Sequence, residues 1–169
     1  MRKLFPLFIL ILLPFFLKAQ DTTVVKRQAG LFAHATFQGD VEHIIAGTYP
    51  ALIELSGGKA QLAQLITERM DALKKQGITS FEGTVGKPGK IYKNAGQWYC
   101  LLPEEIILRT SIGRYRSKSY LLGVSETKGE SWTFLDVGNM PRDVLHRLVP
   151  NLNPELVIPP PVRTEFLPD

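Results

Sequence analysis

Residues 97–124 read QWYCLLPEEIILRTSIGRYRSKSYLLGV, and the fold is decided here. Gln97 to Leu102 is a strand-length run rich in aromatic and apolar residues. Glu104 to Thr110 continues it beyond Pro103, and proline cannot donate to a ladder, so an edge position or a bulge is expected there. Ser111-Ile112-Gly113 then turns the chain into a second long run, Arg114 to Val124. Working outward, Asn94-Ala95-Gly96 is a hairpin signal that joins Lys90–Lys93 to the first of these runs. Gly86-Lys87-Pro88-Gly89 closes an earlier strand, Ile78 to Val85. On the far side, Thr127-Lys128-Gly129-Glu130 turns into a last strand, Ser131 to Val137. The order predicts an antiparallel meander.

Ahead of the meander the apolar spacing changes from two to three or four. Lys59 to Gln76 is the clearest helix, with Leu62, Leu65, Ile66, Arg69, Met70 and Leu73 along one face. Lys74 and Lys75 suit its C-terminal dipole, and Gly77 can leave the helix in the left-handed region. Val24, Val25, Leu31, Phe32, Ala35 and Phe37 make a looser stripe over Thr23–Phe37. Gly39 breaks that helix, and Asp40 can cap a short second one through Ala46. Residues 50–55 fit either a helical turn opened by Pro50 or a short strand. A final helix is expected over Arg142–Val149. Helices followed by a strand meander place the chain in the α+β class.

The first 19 residues read as a cleavable export signal. Arg2 and Lys3 precede an apolar run from Leu4 to Leu17, which Lys18 and Ala19 close. That run is short of the roughly 20 residues a membrane-spanning helix needs, so no membrane span is expected once the signal is removed. The leader holds three of the 20 basic residues and none of the 16 acidic ones, which leaves 17 against 16. A near-neutral domain has no bulk electrostatic attraction for nucleic acid. The expected organisation is a signal peptide at 1–19, one domain at 20–150, and a proline-rich tail at 151–169 that wraps the domain or hangs free. Cys100 is the only cysteine, so no intrachain disulfide can form, and its strand setting suits a small buried apolar group.

Gln38-Gly39-Asp40-Val41-Glu42, Ser56-Gly57-Gly58-Lys59-Ala60 and the strand Ser131-Trp132-Thr133-Phe134-Leu135-Asp136 carry a resemblance. In this order the chain resembles the NTF2-like superfamily (cystatin-like, SnoaL-like), over roughly residues 24–137, and its leader resembles those of exported bacterial proteins. The resemblance implies a curved sheet wrapped around a long helix, with an apolar pocket open at one end. Members include small isomerases, cyclases and dehydratases beside others that only bind or dimerise. The steroid-isomerase branch places a carboxylate base where Glu54 falls, and a hydroxyl donor where Phe32 stands without one.

The remaining candidates come from the residues themselves. Trp132, Phe134 and Asp136 share one face of the last strand, where a carboxylate beside two aromatics can act as a pocket acid. His34 lies on the first helix, and Tyr120 shares a strand face with Arg114, Arg116 and Lys118. The catalytic candidates are therefore Glu54 and Asp136, and the ligand-binding candidates are His34, Tyr120, Trp132 and Phe134. His34, His43 and His146 lack metal-ligand spacing, and neither a phosphate loop nor a nucleophile elbow is present, so no metal or cofactor is expected. The expectation is an exported, periplasmic or secreted protein that binds a small apolar ligand or an envelope protein without catalysis. Two alternatives stand beside it: a small acid–base enzyme pairing Glu54 or Asp136 with His34 or Tyr120, and a structural homodimer.

Overall fold

Four helices come first in the computed structural model, which describes residues 22–168; the expected leader lies outside them. They are α1 (Thr23–Gln38), α2 (Val41–Gly47), α3 (Pro50–Leu55) and α4 (Lys59–Lys75). The Asp40 carboxylate accepts from the His43 backbone N–H at 3.2 Å, which caps α2. Residues 50–55 are helical, with Pro50 in the first turn, where its missing N–H costs nothing. Among the described residues no helix is long and apolar enough to cross a membrane.

The strands are β1 (Ser80–Val85), β2 (Ile91–Asn94), β3 (Gln97–Thr110), β4 (Gly113–Ser125) and β5 (Thr133–Asp136). Helix α5 (Arg142–Leu148) and strand β6 (Glu165–Pro168) complete the described chain. The antiparallel sheet curls strongly into a half-barrel behind the helices, consistent with an NTF2-like cone. Two long strands, β3 and β4, form its spine, paired from Trp98↔Ser125 to Thr110↔Gly113. Each is flanked on its outer side by two short strands. β1 and β2 border β3, and β5 and β6 border β4.

Pro103 sits at one of the joints between short strands. The strand runs through it unbroken, and its carbonyl accepts from Gly86 N–H at 2.7 Å. A strand residue points its N–H and C=O to the same side. The donor that Pro103 lacks therefore faces the gap where β1 has ended and β2 has not begun. A proline is tolerated in the middle of this spine strand because the spine is locally an edge.

The tail wraps the domain and then joins the sheet. Tyr99 Oη donates to the Asn151 carbonyl at 2.8 Å, Asn153 Nδ2 donates to Lys93 O at 3.0 Å, and Leu156 is buried. Residues 165–168 pair with 113–116 of β4. Arg116 and Glu165 add an ion pair at 2.7 Å, and the Tyr115 and Phe166 rings meet at 5.1 Å. Gly113, at φ +147°, is required at this seat, because a Cβ there would strike the Leu167 carbonyl.

Both sheet faces are covered at one end. On the outer face Tyr99, Leu122, Val124, Leu135 and Val137 pack under Leu145, Leu148 and Val149 of the α5 region. On the inner face Cys100, Leu102, Leu121, Trp132 and Phe134 pack against Val25 and Ala29 of α1. Small side chains let α1 approach closely, and Gly123 leaves room for Val25, Trp132 and Phe134. Cys100 is fully buried there, and burial pushes its thiol up to about 12, so it packs as an inert apolar group.

Candidate functional site

The same inner face stays open farther along the spine. By the two-residue period, Leu102, Glu104, Ile106 and Leu108 of β3 point the same way, as do Leu121, Ser119 and Ser117 of β4. Glu104 lies opposite Ser119, and Ile106 opposite Ser117. Helix α4 passes over this part but packs chiefly on α2 and α3. Leu62 is its one buried residue, and Leu65 is 44% exposed.

Between α4 and the sheet lies a cleft of about 720 Å³, a volume ordinary for small-molecule sites. Ile66, Met70 and Leu73 line one side, and Phe81, Ile106 and Leu108 the other. Pro161 to Thr164, the segment leading into β6, closes a third side. A chamber of about 340 Å³ adjoins it and shares Met70, Leu73 and Phe81. The apolar stripe of α4 thus faces a void, where a helix of a finished core would bury it.

Ser119 and Asp136 form the polar floor. The Ser119 hydroxyl donates to Asp136 Oδ1 at 2.5 Å, and Gly138 N–H donates to the same oxygen at 3.1 Å. Gly138 admits no side chain, since a Cβ would fall on the Ser119 hydroxyl. Near them, though not among the residues that line the cleft, Glu104 is 6% exposed, and its carboxyl makes no hydrogen bond among the described residues. Burial, helped by the Asp136 charge, pushes its carboxyl up to about 8. At neutral pH it therefore holds its proton and can donate.

The sequence candidates separate. Asp136 lines the cleft. Trp132 and Phe134 share its face but are sealed in the packed end, the Phe134 ring against Phe32 at 5.4 Å, out of a ligand's reach. Trp132 serves as a tie, its backbone N–H donating to Gln28 Oε1 of α1 at 2.7 Å. Tyr120 points to the outer face, into a shallow hollow with Lys90 and Tyr92. Glu54 is exposed on α3 and His34 on α1, and neither lines the cleft. The structure does not bring Glu54, His34 or Tyr120 to Asp136. Glu104 is the group that sequence reasoning missed. Its signal was its parity with Leu102, Ile106 and Leu108, which sets a carboxyl within an apolar face.

Among the described residues no group of His, Cys, Asp or Glu is placed to hold a metal ion. Compared with known proteins, the chain matches no family model, no curated protein and no solved structure.

Proposed function

We propose that this chain is an exported member of the NTF2-like superfamily that binds a small apolar ligand, without turning it over, in the cleft beneath α4. The observation that carries the reading is the apolar face of α4, left over a void of about 720 Å³. Exposing such a face costs about 25 cal/mol per Å², which a bound apolar molecule relieves. Helices ahead of a curled antiparallel half-barrel support the family, and the charged-then-apolar leader supports export. Saturable one-to-one binding of the neutral fluorescent probe N-phenyl-1-naphthylamine is expected, competed by decanol. Leu108→Arg, at a half-buried wall position, should abolish it while leaving the circular dichroism spectrum intact. A wild-type protein that binds neither compound would overturn the reading.

One arrangement favours a second reading, acid–base chemistry on an apolar substrate. Asp136 lines the cleft and takes a hydrogen bond from Ser119 there, which sets a carboxylate base against an apolar wall. Its signature would be catalysed uptake of solvent deuterium by an apolar ketone such as decanone, lost in Asp136→Asn. No uptake above the buffer rate would leave binding alone.

A further inference from the structure

The cleft carries an excess of positive charge in a domain that the sequence leaves close to neutral. Arg69 of α4, Lys118 of β4 and Arg163 of the tail segment line it, against Asp136 as its one acid. Lys118 stands opposite Glu105 in the ladder of β3 and β4, which offsets its charge. Arg69 and Arg163 form no ion pair among the described residues. The acids nearest to them in sequence are engaged elsewhere, Asp71 by Lys74 and Glu165 by Arg116, and Glu68 accepts from Gln64.

Arg69 is the member whose place on its helix says most. It follows Ile66 by three residues and precedes Leu73 by four, within the apolar stripe that faces the cleft. It is exposed, so its methylenes lie along the apolar wall while its guanidinium stands at the rim in water. Asp136 is placed differently, because its carboxylate already accepts from Ser119 and Gly138. From Arg69 the apolar surface runs past Met70 and Leu73 to Phe81, and Phe37 and Val41 continue it in the adjoining chamber. A cation at one end of a long apolar track suits an amphiphile with an anionic head. An alcohol head would leave the guanidinium unmet. An ammonium head would meet a surplus of cations. A carboxylate can take the guanidinium fork with both oxygens.

We infer that the cleft selects an aliphatic carboxylate, its head held by the Arg69 guanidinium with Arg163 adding positive charge from the tail side, and its chain lying along Met70, Leu73 and Phe81 toward the adjoining chamber. The inference rests on the apolar-cleft reading and names its ligand class. Head and chain contribute separately. An anion without a chain leaves the apolar wall bare, and a chain without an anion leaves the guanidinium unmet. The carboxylate is ionised at neutral pH. Because the guanidinium stands in water, salt screens its attraction for the head, whereas burial of the chain does not depend on charge.

Isothermal titration calorimetry of the full chain at neutral pH, with decanoate, decanol, decylamine and acetate, tests this. At low salt decanoate is expected to bind about fivefold tighter than decanol, the size of a favourable exposed ion pair. Decylamine should be the weakest of the three decyl compounds, and acetate should give no measurable heat. Added salt should shrink the lead of decanoate over decanol. Arg69→Gln should bring decanoate down to the affinity of decanol while decanol binds as before. Arg69→Lys, which keeps the charge and loses the fork, should retain part of the lead. Arg163→Gln should shrink it by a smaller factor, and an unchanged lead would remove Arg163 from the site. Equal affinity for decanoate and decanol, or a preference for decylamine, would overturn the carboxylate inference and leave the apolar cleft standing. A decanoate preference that survives Arg69→Gln would overturn the role of Arg69. Acetate binding as tightly as decanoate would overturn the role of the chain. Binding of none of the decyl compounds would overturn the cleft reading and this inference together.

Discussion

Along β3 the inward residues Cys100 and Leu102 lie under α1, while Ile106 and Leu108, on the same strand and the same side, line the cleft under α4. The first group is sealed and the second is open, though the backbone ladder runs through both without a break. Side-chain size and polarity make the difference. Under α1, Ala29 and Ala33 meet a sheet relieved by Gly123, so the layers close. Under α4, Met70, Leu73 and Arg69 meet a sheet that presents Ser117, Ser119 and Asp136. An apolar helix cannot close over those groups without stranding them. The packed end holds the cone together so that the other end can stay unfilled.

The sharpest way to test that boundary is to remove its buried titratable group. The Glu104 carboxyl is raised from an ordinary 4.5 to about 8 in the folded chain. Between those values the folded state binds the proton and the unfolded state does not. Stability is therefore full below the unfolded value and falls as pH rises through about 8, by up to about 5 kcal/mol. Urea midpoints should drop from about pH 5 to about pH 8.5, and Glu104→Gln should flatten the drop. An unchanged slope would place the buried proton elsewhere.

Truncation should separate the halves by a smaller margin. Phe134→Ala in the sealed end should cost about 3–5 kcal/mol, and Leu108→Ala on the cleft wall about 1 kcal/mol, because its side already faces open space. Equal losses in urea unfolding would mean that the open half is packed. Gly138→Ala pushes on the Ser119 hydroxyl and should cost about 1–3 kcal/mol while weakening ligand binding in the cleft. Asp40→Ala removes the α2 cap, away from both halves, and should cost about 1 kcal/mol with ligand affinity unchanged.

Much of the scaffold was legible in the sequence. The Lys59 helix, the Asp40 cap, the hairpin at Asn94-Ala95-Gly96 and the two spine strands all follow from local spacing, which the backbone obeys wherever tertiary contacts agree with it. Residues 50–55 were not decidable because six residues fit either period. Strand β6 was not legible either. Glu165-Phe166-Leu167-Pro168 has no alternation, and its pairing with β4 spans some fifty residues, which no local pattern reports. The site was half legible. Asp136 stands out beside two aromatics, but Pro103 divided the β3 run in the reading and hid the parity that sets Glu104 inward. That the apolar face of α4 borders a cleft depends on the distance between two layers, and periodicity carries no information about it.

Methyl-resolved NMR during a titration with decanol tests the contrast between the halves most directly, since it reads both at once and needs no charged head group. The methyl signals of Ile66, Leu73, Ile106 and Leu108 should shift saturably, while those of Val25, Leu121 and Leu122 stay in place. Shifts spread evenly over both sets, or confined to the second, would contradict a cone with one sealed and one receptive half.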